Sequence, residues 1–411
     1  MKTKKAMMTM MCNSTDSKKK TIMILGAGRG QVGLYKAARE LGHRSVAVSI
    51  PGDYPGFAFA DEIEYTDITD EEAVLEAARR HNADAIVTAC VDITVPALGY
   101  ACDSLGLCGI SHEAAVVCTN KMLMKKAFEK HGVRTARFTE LMPGDDPYEK
   151  TAHLNYPLIV KAVDLAGSKG INIVMQGESL SDAVSRTMSE THKEYCIIEE
   201  YIDGYEFSAT AFVAGGEILF ILPTGDVRYG ENDEIPAGHY LPFDAEQSVI
   251  DDTMKQMAGG IRALDLDDCA VNADLMLMDG RVYILEMTGR FGANCMPELT
   301  SIYMGYDSYR MIIETALGDR SFISDIEESK RPCTPCFAQM IVSEKAGTLR
   351  SVTIDDECDA DVLMFAKAGD GIRKFASTND CVGQVITQAA TLEGARQKAQ
   401  EAMHHIHLDI E

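Results

Sequence analysis

The apolar positions near the start of the chain fall into short β-branched runs separated by amphipathic stretches. Thr21–Leu25 (TIMIL) is one such run, and residues 34–41 then carry helical spacing that Gly42 stops. Residues 45–50 read as a second strand, Glu71–His81 as a helix, 85–89 as a strand and Val95–Leu105 as a helix. Alternation of this kind predicts a parallel sheet with helices on its faces over about residues 21–115. Residues 112–132 continue as one helix, ended by Gly132.

The pattern then changes. Strands are expected at 156–162, 171–175, 196–201 and 206–214, with a helix over Leu180–Glu190, which makes a small α+β module. Residues 270–278 and 281–287 read as a hairpin around Met278-Asp-Gly-Arg281, and 297–317 as one helix. From about 331 short strands alternate with Asp- and Gly-rich turns, and a helix over 392–405 closes the chain. The expected organisation is a disordered tail over 1–20, an N-terminal parallel-sheet domain over 21–115, a second domain over 116–330 with a subdomain at about 134–205, and a C-terminal α+β segment over 331–411.

Composition narrows the partners. The net charge is −24 over 411 residues, which argues against nucleic acid and anionic membranes, since both need basic patches. No run of about 18 apolar residues is present to span a bilayer. Of 12 Cys, Cys333 and Cys336 come closest to a metal-ligand spacing, in Cys-Thr-Pro-Cys, and they lack a second pair. Free thiols in a reducing cytoplasm are the expectation.

Two Gly-rich turns are candidates for anion binding. Gly26, Gly28 and Gly33 follow a strand and open a helix, where a phosphate can sit. A dinucleotide site also wants an acid closing the second strand, but that strand ends Ser49-Ile50-Pro51 and Asp53 lies beyond a Pro-Gly turn. A tight structural turn, or a substrate phosphate or carboxylate site helped by Arg29, stays open. The second turn, Ala166-Gly-Ser-Lys-Gly170, joins two strands. Its small residues free backbone N–H groups to curl round a phosphate, and Lys169 adds charge.

Lys161 stands inside the apolar strand YPLIVKA, where an unpaired ammonium is costly to bury; it is either at an exposed edge or on a phosphate. The strand end Ile-Ile-Glu199-Glu200-Tyr201-Ile202 precedes Asp203-Gly204 and Glu206. Such an edge can read adenine through its backbone while a following acid accepts ribose hydroxyls; a solvated turn explains the acids equally well.

The strongest constellation is the hairpin from Asn272 to Glu286. With a three-residue loop at 279–281, Asp274 and Glu286 lie opposite each other, about 5 Å apart at Cβ. Two carboxylates that close repel unless a cation neutralises them, and Mg²⁺ takes such ligands together with substrate phosphates. A two-residue loop would pair Asp274 with Leu285 instead. Period-2 alternation adds Thr288 and Arg290 to the face of Glu286.

The order of these motifs (the parallel-sheet unit, the helix with Lys121, YPLIVKA, AGSKG, IIEEYIDGYEF, then ADLMLMDGRVYILEMTGRFGAN) resembles the ATP-grasp superfamily over roughly residues 21–320. The resemblance implies an ATP-grasp fold with a Rossmann-like N-terminal domain, ATP as cofactor, and Mg²⁺ or Mn²⁺. Lys121 and Lys161 would contact ATP, Gly167, Ser168, Lys169 and Gly170 would fold over its phosphates, and Glu199, Glu200, Tyr201 and Ile202 would form the adenine-reading hinge. Glu206 would hold the ribose, Asp274 and Glu286 the metal, and Arg290 would face an acyl phosphate, with Lys161 and Lys169 as the other catalytic cations.

Family members often carry Asn where this chain has Thr288, so that position departs from the pattern, and its hydroxyl is the third candidate metal ligand. The residues after Arg290 look similar to those of carboxylate–amine ligases that join amino acids or similar small acids to amines. Arg290, Gly292 and Asn294, then Arg228 and His239, are the substrate candidates, and a homodimer is the family's expectation. Carboxylases and purine-pathway members share the core, and a nicotinamide-dependent oxidoreductase built on Gly26–Gly33 would leave Asp274 and Glu286 without a role.

Overall fold

A computed structural model describes residues 19–165, 170–229, 235–328 and 333–411. The tail expected over 1–20 therefore lies almost wholly outside the described residues, as do Gly167, Ser168 and Lys169.

The N-terminal runs form a four-stranded parallel sheet in the order Glu62–Tyr65, Arg44–Ser49, Thr21–Leu25, Ala85–Val87. The two inner strands are apolar on both faces because helices cover both, which is why they read as continuous runs rather than alternation. The next module is an antiparallel sheet in the order Phe138–Leu141, Cys196–Glu200, Leu158–Ala162, Ile171–Val174. Helix Leu180–Glu190 covers one face through Leu180 and Ala183, packed on Leu158, Val160 and Ile198. The other face carries Ile159, Lys161, Ile197 and Glu199.

An eight-stranded antiparallel sheet links the rest. Its order is Arg281–Thr288, Cys269–Met278, Tyr205–Ala214, Glu217–Tyr229, Ile235–Leu241, Cys336–Ile341, Gly383–Gln388, Asp361–Met364. Helix Gln247–Ala263 packs on it, with Gly260 against Ile284 and Met287. A small sheet of Gly371–Ile372, Gly347–Ile354 and Ile406–Ile410 completes the C-terminal part. The chain thus has the mixed α/β architecture with an N-terminal parallel sheet that the pattern predicts.

Two helices break where one is expected. The 112–132 stretch is His112–Cys118 and Lys121–His131, because the Asn120 side chain accepts from the Met122 and Leu123 amides and starts a new helix. The 297–317 stretch is Met296–Met304 and Ser308–Ala316. Gly305 ends the first at φ +70°, and Asp307 caps the second.

The second helix of that pair seats on the N-terminal sheet through Tyr309, whose ring lies on Gly33. A Cβ at position 33 would fall 2.1 Å from the ring. Gly33→Ala is expected to cost about 1–3 kcal/mol of stability through overpacking. Gly371→Ala, which meets open space, should stay within about 0.5 kcal/mol. Urea denaturation midpoints check the pair, and equal midpoints would remove Tyr309 from its seat.

Candidate active site

The hairpin turn differs from the expectation. Met278 pairs with Arg281, leaving Asp279 and Gly280 as a two-residue turn with φ +50° and +70°. Both positive values mark the type I′ turn that suits a hairpin. Carried on regularly, this register would pair Asp274 with Leu285. A β-bulge intervenes: Leu275 pairs with Ile284 and Asp274 with Glu286, so Leu285 is the extra residue. The carboxylates face each other through the bulge, not through a longer loop.

Asp274 feels this strongly. Burial, then the neighbouring Glu286, Glu206 and Asp226, push its carboxyl up to about 7, against a smaller pull down from Arg290. Lys121 answers Glu286: its ammonium donates to Oε1 at 2.7 Å and to the Leu165 carbonyl at 2.7 Å. Burial would lower the Lys121 pKa, but Glu286 holds it up. The pair therefore has the character of a cation site. The two opposed carboxylates lack a full charge match, and one of them borrows a lysine.

Behind Lys121 lies a group that the sequence reading missed. Lys125, one turn further along the same helix, is 1% exposed, and its ammonium lies 2.9 Å from Glu199. Lys161 donates to the same carboxylate oxygen at 3.2 Å. Lys161 is thus buried mid-sheet, not at an exposed edge. Burial first, and Lys161 with it, drives Lys125 down to about 8, while Glu199 resists. Glu199 stays ionised below its usual range because the two ammoniums outweigh its burial. The i, i+4 spacing of Lys121 and Lys125 was the available signal.

Of the hinge residues, Glu199 points inward at these lysines, and Glu200 instead receives Arg137 at 2.9 Å and the Asn155 amide at 2.8 Å. The Tyr201 amide donates to the Pro157 carbonyl, and Ile202 packs with Ala136, Met276 and Leu285. The bulged residue therefore becomes part of the apolar floor beside the hinge. Gly170, the one described member of the second Gly turn, has φ +65° and donates its amide to Glu190 at 2.9 Å.

A second polar group gathers on the neighbouring strands. Asp226 receives His239 Nδ1 at 2.9 Å, the Ser208 hydroxyl at 3.2 Å and Arg228 at 3.4 Å. Arg228 also pairs with Glu206 at 3.1 Å. Ser208 lies opposite Asp274 on the adjoining strand, so this group abuts the carboxylate pair. Arg228 and His239 are brought together by Asp226, a residue to which the sequence reading gave no role.

Arg290 does not extend freely along the edge of Glu286. Its guanidinium meets Asp92 side-on, Nε to Oδ1 at 2.7 Å and Nη2 to Oδ2 at 2.6 Å, and Nη1 donates to the Phe291 carbonyl. Asp92 is held below its usual range by Arg290 despite burial. It is 198 residues away in sequence, with no local signal. Thr288 is buried with Oγ1 close to Asp92 but outside hydrogen-bond geometry. Its cross-strand partner is Asn272, whose amide donates to Asp274 at 3.4 Å. Gly292 admits this Asn: a Cβ there would fall 2.4 Å from Asn272 Oδ1. Asn294 follows at φ +57°.

The first Gly turn is filled by the protein itself. The Gln31 side chain folds onto Gly26 and Gly28 and donates to the Ala89 carbonyl. Tyr35 donates to the Gly26 carbonyl at 2.7 Å, and Arg29 stacks 4.1 Å over Phe365 of the C-terminal part.

Residues 119–295 match the family model of the phosphoribosylglycinamide synthetase ATP-grasp (A) domain. A solved phosphoribosylglycinamide synthetase from Anaerococcus prevotii is 38% identical, covers 96% of this chain and all of that one, and superposes with a TM-score of 0.83. The chain belongs to the ATP-grasp ligases. This ATP-grasp ligase also matches the L-amino acid ligase C-terminal domain 2 over residues 339–411. A phosphoribosylamine–glycine ligase of Fusobacterium nucleatum is 23% identical over 325 residues, 74% of this chain and 76% of the relative. An L-amino acid ligase from Bacillus licheniformis, 19% identical over 96% of this chain and 99% of that one, shares the fold with a TM-score of 0.75.

Two stability measurements test the electrostatics. Glu199→Gln leaves two buried ammoniums without an anion and is expected to cost about 3–5 kcal/mol in urea unfolding; a loss below about 1 kcal/mol would show that Lys125 and Lys161 need no counter-ion. For Asp274, the folded pKa near 7 lies above the unfolded value of about 4. The metal-free fold thus binds this proton more tightly than the unfolded chain does. Its contribution is most favourable below pH ~4 and is lost as pH rises to about 7. Asp274→Asn should flatten that decline in metal-free thermal melts and raise the midpoint above pH ~7; a decline as steep as in the unmodified protein would contradict the burial of this charge.

Proposed function

We propose that the protein couples the carboxylate of an amino acid or similar small acid to an amine, turning ATP into ADP and phosphate through an acyl phosphate. The observation that carries this reading is the bulge-set opposition of Asp274 and Glu286 beside Lys121. The donor set is two opposed carboxylates, which suits a hard divalent cation. Asp274 and Glu286 would hold Mg²⁺, and the Thr288 hydroxyl stands where the family often carries Asn. The ion supplies charge neutralisation at the ATP phosphates.

Lys121, paired with Glu286, and Lys161, paired with Glu199, bind the nucleotide phosphates; Lys169 belongs to the same set. The backbone of Glu200–Ile202 reads adenine, and Glu206 receives the ribose. Arg290, held by Asp92, presents its remaining N–H groups to the acyl phosphate. His239 and Arg228, oriented by Asp226, border the carboxylate that is activated. The described cysteines are free thiols, which supports a reducing compartment such as the cytoplasm. No helix among the described residues is long and apolar enough to cross a membrane.

The substrates are the finer point. Gln31 fills the turn at Gly26–Gly28, where a phosphorylated substrate could otherwise dock on backbone amides. That favours an unphosphorylated acceptor, as does the match to the L-amino acid ligase C-terminal domain. The 38% identity to a phosphoribosylglycinamide synthetase favours a second reading, in which glycine is the acid and phosphoribosylamine the amine.

ADP release over pairs of amino acids and over glycine with phosphoribosylamine separates the two. Hydroxylamine trapping of the acid alone tests the acyl phosphate. Glu286→Gln should lower turnover by at least about 100-fold and weaken Mn²⁺ binding followed by electron paramagnetic resonance, with the folded far-ultraviolet circular dichroism spectrum retained. Wild-type ADP release in that variant would end the metal assignment.

A further inference from the structure

The nucleotide chemistry leaves two features without a role: the glycine spacing of Gly26–Gly33, and the half-buried carboxylate of Glu298. They meet through Tyr309. Its ring needs the bare backbone of Gly33, and its hydroxyl donates to Glu298 Oε1 at 2.7 Å. Among the described residues, the only other donor to this carboxylate is its own backbone N–H. Gly30 is likewise pressed on Cys90, where a Cβ would come within 2.5 Å of the Cys90 Cβ. The N-terminal turn therefore serves as a seat for Cys90 and for Tyr309 from the second half of the chain.

Cys90 connects this seat to the reaction centre. Its amide donates to the Phe291 carbonyl at 3.1 Å and its thiol to the Gly292 carbonyl at 3.1 Å. The thiol lies in the field of Glu298 on one side and of Arg290 and Asp92 on the other. Cys90, Asn294 and Cys295 all adopt left-handed backbone at φ +61°, +57° and +72°. Of these, Cys90 and Cys295 border the Glu298 carboxylate, and such strain persists where a site needs its groups held.

We infer that Glu298 binds the ammonium of the acceptor amine and accepts its proton, with Tyr309 as the positioning residue. This rests on the ligase reading above. The acceptor arrives as R–NH₃⁺, which has no lone pair. Transfer of one proton to the Glu298 carboxylate gives R–NH₂. The nitrogen then attacks the acyl carbon, the carbon–oxygen bond to phosphate breaks with its electron pair on oxygen, and the second nitrogen proton leaves with the phosphate. The products are an amide and hydrogen phosphate, and Glu298 returns its proton to solvent. The ligand class is a primary ammonium, as on an α-amino acid.

The surroundings suit that role. Burial raises the proton affinity of Glu298, Tyr309 and the backbone N–H oppose it, and Asp307 and Asp361 add to it. The thiols of Cys90 and Cys295 and the phenol of Tyr309 are themselves pushed up by burial, so they stay neutral beside it.

The test compares two nucleophiles in the full-length enzyme. Hydroxylamine is uncharged at neutral pH and needs no proton acceptor, whereas an amino acid that supports turnover in the pair screen arrives protonated. Glu298→Gln should lower amide formation from that amino acid by about 100-fold or more, keep hydroxamate formation within about two-fold, and recover amide formation as pH rises. Tyr309→Phe removes a donor to the carboxylate, so the acid limb of its amide-formation profile should move to higher pH. Equal loss of amide and hydroxamate in both variants, or a normal amide rate in Glu298→Gln, overturns the inference. A wild-type enzyme that yields neither product overturns the ligase reading and this inference with it.

Discussion

Two like charges are forced together at the edge of the large sheet, and much of the surrounding structure answers that repulsion. Asp274 and Glu286 sit opposite each other in adjacent antiparallel strands. Lys121 covers Glu286, and Asp274 has its carboxyl pushed up by burial and by its neighbour. Under the proposed function, this arrangement disfavours the metal-free fold and persists because opposed carboxylate oxygens suit a divalent cation. Stability is given up locally where binding requires unscreened charge.

The charges behind this edge form a graded series. Lys125 and Lys161 share Glu199 in the interior, Lys121 bridges to Glu286 at the margin, and Asp92 aligns Arg290 on the far side. Lys125, Lys161 and Arg290 are held by acids other than the opposed carboxylates, while Lys121 pairs with Glu286 itself. The lysines on one helix, 121 and 125, thereby tie the small antiparallel module to the hairpin. Tyr309 and Cys90 tie the N-terminal sheet to the segment after Arg290. The candidate site lies where three sheets meet rather than on one of them.

The Gly-rich turn shows how a motif can mislead. Its spacing suggests a cradle for an anion, yet Gln31 occupies the space and Gly30 and Gly33 exist to admit Cys90 and Tyr309. The same small residues that let a backbone approach a phosphate let it approach a side chain. Only the identity of the neighbour distinguishes the two.

The sequence by itself determined the fold class, the parallel sheet from continuous β-branched runs, and the hairpin that carries Asp274 and Glu286. Those features depend on local periodicity and on turn chemistry, which a single segment expresses. It also located Lys161 and Lys121 on the right elements. The tertiary structure decided the rest. It set the carboxylates face to face through a bulge at Leu285, where a turn-length argument gave the wrong loop. It joined Asp92 to Arg290, Asp226 to His239 and Tyr309 to Glu298, across 198, 13 and 11 residues. It split two expected helices where Asn120 and Asp307 cap new ones. A pairing between charged groups leaves no periodic trace in either partner's segment, because its energy comes from desolvation and distance, and both are fixed only when the segments pack.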